Sequence, residues 1–96
     1  MLDSLRKKID DIDDEILRLL KKRIEVASSL AKIKRESKMP IYQKEREDEV
    51  LSRVKKIAEE QGIPEEYALA ILREIIRQTR DYETKNDMHT NNRKDK

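Results

Sequence analysis

One apolar stripe runs through the first third of the chain. Leu2, Leu5, Ile9, Ile12, Ile16 and Leu19 follow one another at alternating steps of three and four, and Val26, Leu30 and Ile33 resume the series. That spacing lines up on one face of a helix. No proline or glycine falls before Pro40. The pattern therefore predicts a single helix from Asp3 or Ser4, either a fair N-cap, to about Glu36. Such a helix is roughly 50 Å long, and whatever else the chain forms must cover its seam.

The seam has one misfit. The position that should continue it between Leu19 and Val26 is 23, and it holds an arginine. Charged groups also sit on the apolar stripes further along. Glu47 lies three residues before the stripe Val50, Val54, Ile57, and Glu83 lies four after Leu72, Ile76, Thr79. Lys34 is eleven residues, about three turns, beyond Arg23 and projects from the same side.

The rest of the chain is short-stepped and helical. The loop "SKMPIYQ" follows the first helix, and a second helix begins near Lys44, with Glu45 and Glu47 at the positive end of its dipole. It ends before Gly62, a C-terminal cap. Pro64 opens a third helix at its first position, followed by Glu65 and Glu66, and that helix reaches about Glu83. Strand signals are absent. The expected organisation is a helical domain over residues 1–83 and a polar, disordered C-terminal tail over 84–96, "TKNDMHTNNRKDK". His89 and Met88 fall in that tail and read as solvated.

Helices two and three are each little more than half as long as the first, so half of the seam would stay bare in a monomer. A chain of 96 residues with 35% apolar content and no Phe or Trp buries only a thin core by itself. A second copy of helix one is the simplest cover, which predicts an all-α fold: three helices per chain in an intertwined six-helix homodimer. An elongated coiled-coil dimer with loose hairpins is the alternative.

Composition removes several functions. Residues 1–83 carry 19 Lys/Arg against 19 Asp/Glu, so the body is neutral and offers no basic face for nucleic acid. With no cysteine there are no disulfides, thiol nucleophiles or thiolate metal sites. No apolar run reaches membrane-spanning length and no signal-peptide pattern opens the chain, so a cytoplasmic location is expected. A salt bridge from Arg23 to Glu47 or Glu83 is the plain structural account of the seam charges. Buried ion pairs seldom repay their desolvation, however, and several on one seam ask for another reason. Cations lining a bundle interior make an anion site, Arg as a fork for carboxylates and Lys as a point charge. Arg6 lies 17 residues from Arg23, roughly 25 Å along one helix. Both reach one small ligand only from different chains.

These residues resemble a known family. "LRKKIDDIDDEILRLLKKR", Lys34 in "AKIKRE", "PIYQKERE", and Thr79 and Glu83 in "RQTRDYE" look like the all-helical chorismate mutases, small intertwined homodimers of aromatic amino-acid biosynthesis. The resemblance covers about residues 2–83, and its spacing from Arg6 through Arg23, Lys34, Arg46 and Glu47 to Thr79 and Glu83 is more specific than any one element. It implies the Claisen rearrangement of chorismate to prephenate, with no cofactor, metal or covalent intermediate. The enzyme would hold the dianionic substrate in its reactive form and stabilise charge on the breaking ether oxygen.

By the same resemblance, Arg6 of one chain and Arg23 of the other hold the carboxylates, and Lys34 donates to the ether oxygen. Glu47 accepts from the ring hydroxyl, Arg46 supports the site, and Thr79 contacts the carboxylate region. Gln43, where many relatives have an acid, serves through its backbone N–H. Glu83, where some relatives have Gln, must be protonated to donate to the ether oxygen. An isochorismate pyruvate lyase of the same fold and a non-catalytic helical dimerisation or regulatory module are the alternatives.

Overall fold

The computed structural model describes the backbone of residues 1–94 and the side chains of residues 1–85. Three helices follow in order: α1 over Leu2–Glu36, α2 over Lys44–Gln61 and α3 over Glu65–Lys94. Among the described residues there is no strand. α1 begins two or three residues earlier than its polar caps suggested. Met1 is the N-cap, without a side-chain hydrogen bond, and its carbonyl accepts the Leu5 N–H at 3.1 Å. Asp3 thereby sits in the first turn, where its charge suits the dipole.

Both interhelical turns close in the same way. At the end of α2, Gly62 takes the left-handed conformation (φ 69°), and the Ile63 N–H reaches back to the Ala58 carbonyl at 2.9 Å. At the end of α1, Met39 N–H reaches the Lys34 carbonyl at 2.7 Å, and the left-handed residue is Lys38 (φ 58°). These are two Schellman caps, one with glycine and one without. Pro64 stands one place before its expected position: it precedes α3, and its carbonyl accepts the Ala68 N–H at 3.1 Å. α3 runs past Glu83 to Lys94. The expected stop rested on the loss of apolar residues, but no glycine or proline follows Pro64 to break the backbone. The side chains expected to form a solvated tail, from Asn86 on and including Met88 and His89, lie outside the described residues.

The core sits between α2 and α3, where Val50, Val54, Leu69 and Ile76 are buried with Leu51, Ala68 and Leu72 around them. α1 packs on α3 alone. Its contact face is not the seam. Ala27 and Ala31 are the buried residues of α1, with Leu20 partly buried beside them. Every one of the nine seam residues is exposed, from 46% at Leu30 to 61% at Leu19. The expectation that the chain would cover half of its seam is therefore corrected. A second stripe, offset by one residue and ending in two alanines, lets α1 approach α3 closely and leaves the seam free.

Candidate active site

A cleft of about 530 Å³ opens where the C-terminal half of α1 faces the first turns of α2 and the middle of α3. Its walls combine the seam residues Val26, Leu30 and Ile33 with Val50 and Ile76, and between them stand charged groups. Of the eight residues singled out from sequence, seven line it: Arg23, Lys34, Gln43, Arg46, Glu47, Thr79 and Glu83. Arg6 does not. It sits exposed on the free N-terminal half of α1, where the helix has left its neighbours behind.

The misfit arginine makes a hydroxyl contact. Arg23 Nη1 donates to Thr79 Oγ1 at 2.7 Å, and Thr79 Oγ1 donates in turn to the Ile75 carbonyl at 2.7 Å. That back-bond fixes the hydroxyl's proton one turn down α3 and turns a lone pair toward the guanidinium. The salt bridge from Arg23 to Glu47 or Glu83 is not formed; each acid has another partner. A neutral hydroxyl leaves the Arg23 charge uncompensated, available to an incoming carboxylate.

Lys34 and Glu83 meet at 3.1 Å, with side chains 18% and 6% exposed. Lys34 Nζ also donates to the Ile41 carbonyl at 3.1 Å, so one ammonium ties together α1, the loop 37–43 and α3. The third Lys34 proton is left for a ligand. Glu83 is the one buried charged residue among the described residues, at 4% exposure. It lies one turn beyond Thr79, so the α3 stripe turns from apolar to polar as it enters the cleft.

Glu47 and Gln43 come from the start of α2. Gln43 is the N-cap in extended conformation, and its carbonyl accepts the Glu47 N–H at 3.1 Å. Its side-chain amide donates to the Pro40 carbonyl at 3.2 Å. Arg46 lines the cleft beside Glu47 and is solvent-exposed.

Sequence reasoning passed over Arg80 and Tyr42. Arg80 Nη2 donates to Glu47 Oε1 at 3.1 Å, and its guanidinium carbon stands 4.6 Å above the Tyr42 ring. The available signal was Arg80 following Thr79 directly on α3; its acid partner lies 33 positions away. A second, mostly apolar cleft of about 470 Å³, with Leu20, Ile24, Ile71 and Ile75 in its walls, lies on the other side of Arg23 and Thr79. Among the described residues no group of His, Cys, Asp and Glu has the arrangement of a metal site, and no helix is long and apolar enough to cross a membrane.

Comparison with known proteins supplies a family. The family description chorismate mutase type II matches residues 5–84. A bifunctional chorismate mutase/prephenate dehydratase of Aquifex aeolicus is 42% identical over 78 residues, 78% of this chain and 22% of that protein. A chorismate mutase of Methanocaldococcus jannaschii is 36% identical over 75 residues, 78% of this chain and 76% of that one. The chain thus spans about a fifth of the bifunctional relative and three quarters of the monofunctional one. Among solved structures, a conserved hypothetical protein from Pyrococcus furiosus is similar at 40% identity with a TM-score of 0.69, covering 85% of this chain and 93% of that chain.

Proposed function

The chain belongs to the chorismate mutase type II family, and on that premise we propose that it rearranges chorismate to prephenate in the cytoplasm, as a homodimer whose sites are shared between subunits. The observation that carries the reading is the convergence of Arg23, Lys34, Arg46, Glu47, Thr79 and Glu83 on one cleft. Four cations, counting Arg80, and two acids set among apolar walls suit a compact dianion with a hydroxyl group.

The reaction is intramolecular: one C–O bond breaks as one C–C bond forms, and no atom enters or leaves. Catalysis then reduces to conformation and charge. Arg23 grips a carboxylate from the seam, and Thr79 orients the guanidinium. Arg6 of the partner subunit supplies the second grip, because the Arg6 of the same chain is roughly 25 Å away along α1. Glu47 accepts from the ring hydroxyl and selects the compact, diaxial form. Lys34, already aimed by the Ile41 carbonyl and Glu83, turns a proton toward the ether oxygen as charge grows there. Glu83 adds a second donor when it is protonated.

The homodimer is supported by the bare seam. Nine large apolar residues at regular spacing along 35 residues of helix form a stripe larger than a soluble monomer ordinarily exposes. A second α1 laid antiparallel along it covers both copies and carries Arg6 to the opposite cleft.

The test is the loss of chorismate absorbance with purified protein, with prephenate identified as product. Rapid conversion is expected. Turnover of isochorismate to pyruvate and salicylate without chorismate turnover would replace the mutase with the lyase. Inertness toward both would leave a binding module.

A further inference from the structure

Arg80, like Arg46, is a cleft cation to which the reaction scheme above gives no role. It projects from α3 beside Thr79, lines the cleft and touches two other segments. One is the first turn of α2, through the 3.1 Å bond from Nη2 to Glu47 Oε1. The other is the loop 37–43, through the Tyr42 ring 4.6 Å below its guanidinium carbon. Arginine prefers such a stacked position because its plane is weakly hydrated and keeps its edge free for a carboxylate.

Two further facts separate this contact from an ordinary surface ion pair. The Glu47 and Arg80 side chains are 22% and 38% exposed, whereas the i,i+4 pairs Lys7–Asp11 and Lys44–Asp48 are 60% exposed or more on both sides. Arg80 Nε is also buried with no hydrogen-bond partner. A residue present for stability alone would satisfy its donors. Here one donor goes unbonded while the group holds a line between Tyr42 and Glu47.

Glu47 needs that restraint. A glutamate has three side-chain torsions, and its task is to present one oxygen to a ligand hydroxyl in a fixed direction. Engaging Oε1 leaves Oε2 to accept that hydroxyl and removes the torsional freedom. We propose that Arg80 is a positioning residue, clamped by Tyr42, that fixes the Glu47 carboxylate in the orientation that recognises the hydroxyl of the substrate. The inference rests on the chorismate reading of the cleft.

The experiment is a double-mutant cycle on kcat/KM for chorismate, using wild type, Arg80→Met, Glu47→Gln and the double variant, with circular dichroism melts on each. Arg80→Met should lose roughly 10- to 100-fold, the scale of a misplaced catalytic group. In the Glu47→Gln background the same change should cost less than about threefold, because the oriented carboxylate is already gone. Arg80→Lys should recover part of the loss, and Tyr42→Leu should reproduce part of it. Should Arg80→Met lose its helical signal, Arg80→Lys and Tyr42→Leu take its place in the cycle. Losses that multiply across the cycle would overturn positioning in favour of a direct contact between Arg80 and substrate. An Arg80→Met variant as active as wild type would overturn the inference alone. A wild type inert toward chorismate would remove the functional reading and the inference with it.

Discussion

Lys34 and Glu83, 49 residues apart, form a 3.1 Å ion pair with both side chains largely out of water. Their contact joins the last turns of α1 to the middle of α3 in the wall of the cleft. A pair in this position is an adjustable donor set: the ammonium always donates, and the carboxyl donates only when it carries a proton. Truncating Lys34 removes the permanent donor. Lys34→Ala should lower kcat roughly 10²- to 10³-fold, the scale of a lost oxyanion-hole donor, and single-turnover measurement isolates the chemical step.

Glu83 is tested by its amide. Glu83→Gln keeps the shape of the side chain and can donate to the ether oxygen through its own N–H groups, so its kcat/KM for chorismate should equal or exceed that of the wild type. A loss of about 10-fold or more would discard a donor role and leave Glu83 as the partner of Lys34.

Arg23 places binding and association in opposition. Arg23→Leu completes the apolar seam at the cost of the carboxylate grip. Turnover should fall by two orders of magnitude or more, on the order of 3 kcal/mol. The melting temperature should rise by about 4–8 °C for each kcal/mol gained in the seam. A variant that loses activity and stability together would show that Arg23 also supports the interface.

The proposed dimer, with each site drawn from two chains, predicts complementation. Arg6→Ala and Arg23→Ala are each expected to be inactive. Unfolded together in equal amounts and refolded, they should return about a quarter of wild-type activity, since half the dimers are mixed and each has one intact site. No recovery would place Arg6 outside the site.

The turn at Lys38 is open to improvement. A non-glycine residue at φ 58° carries a steric penalty that glycine lacks. Lys38→Gly should stabilise the fold by about 0.5–1 kcal/mol net of the entropy of the added glycine, read by urea denaturation with an unchanged slope.

Most of the cleft was legible because it follows from helical spacing. Arg23 announced itself by interrupting a seam, and Glu47 and Glu83 by extending stripes. The contact face of α1 was not legible. Leu20, Ile24, Ala27 and Ala31 share the seam's steps of four and three, displaced by one residue, and the larger residues of the seam dominate any reading by hydrophobicity. The packing goes instead to the face with alanines, where backbones approach. Arg80 was hidden for another reason: its worth depends on the register of α3 against α2, which brings it to Glu47, and no local pattern encodes that register. The helical run past Glu83 was missed because polar composition was weighed above the absence of a backbone stop.

That α1 packs on α3 and not on α2 also has a meaning in time. A ribosome finishes α1 first and α3 last. At roughly 5–20 residues per second, the 58 positions from Glu36 to Lys94 take on the order of several seconds to make. Until α3 follows, α1 has no helix of its own chain to pack against. The order of the helices thus sets how long its alanine face must wait for cover.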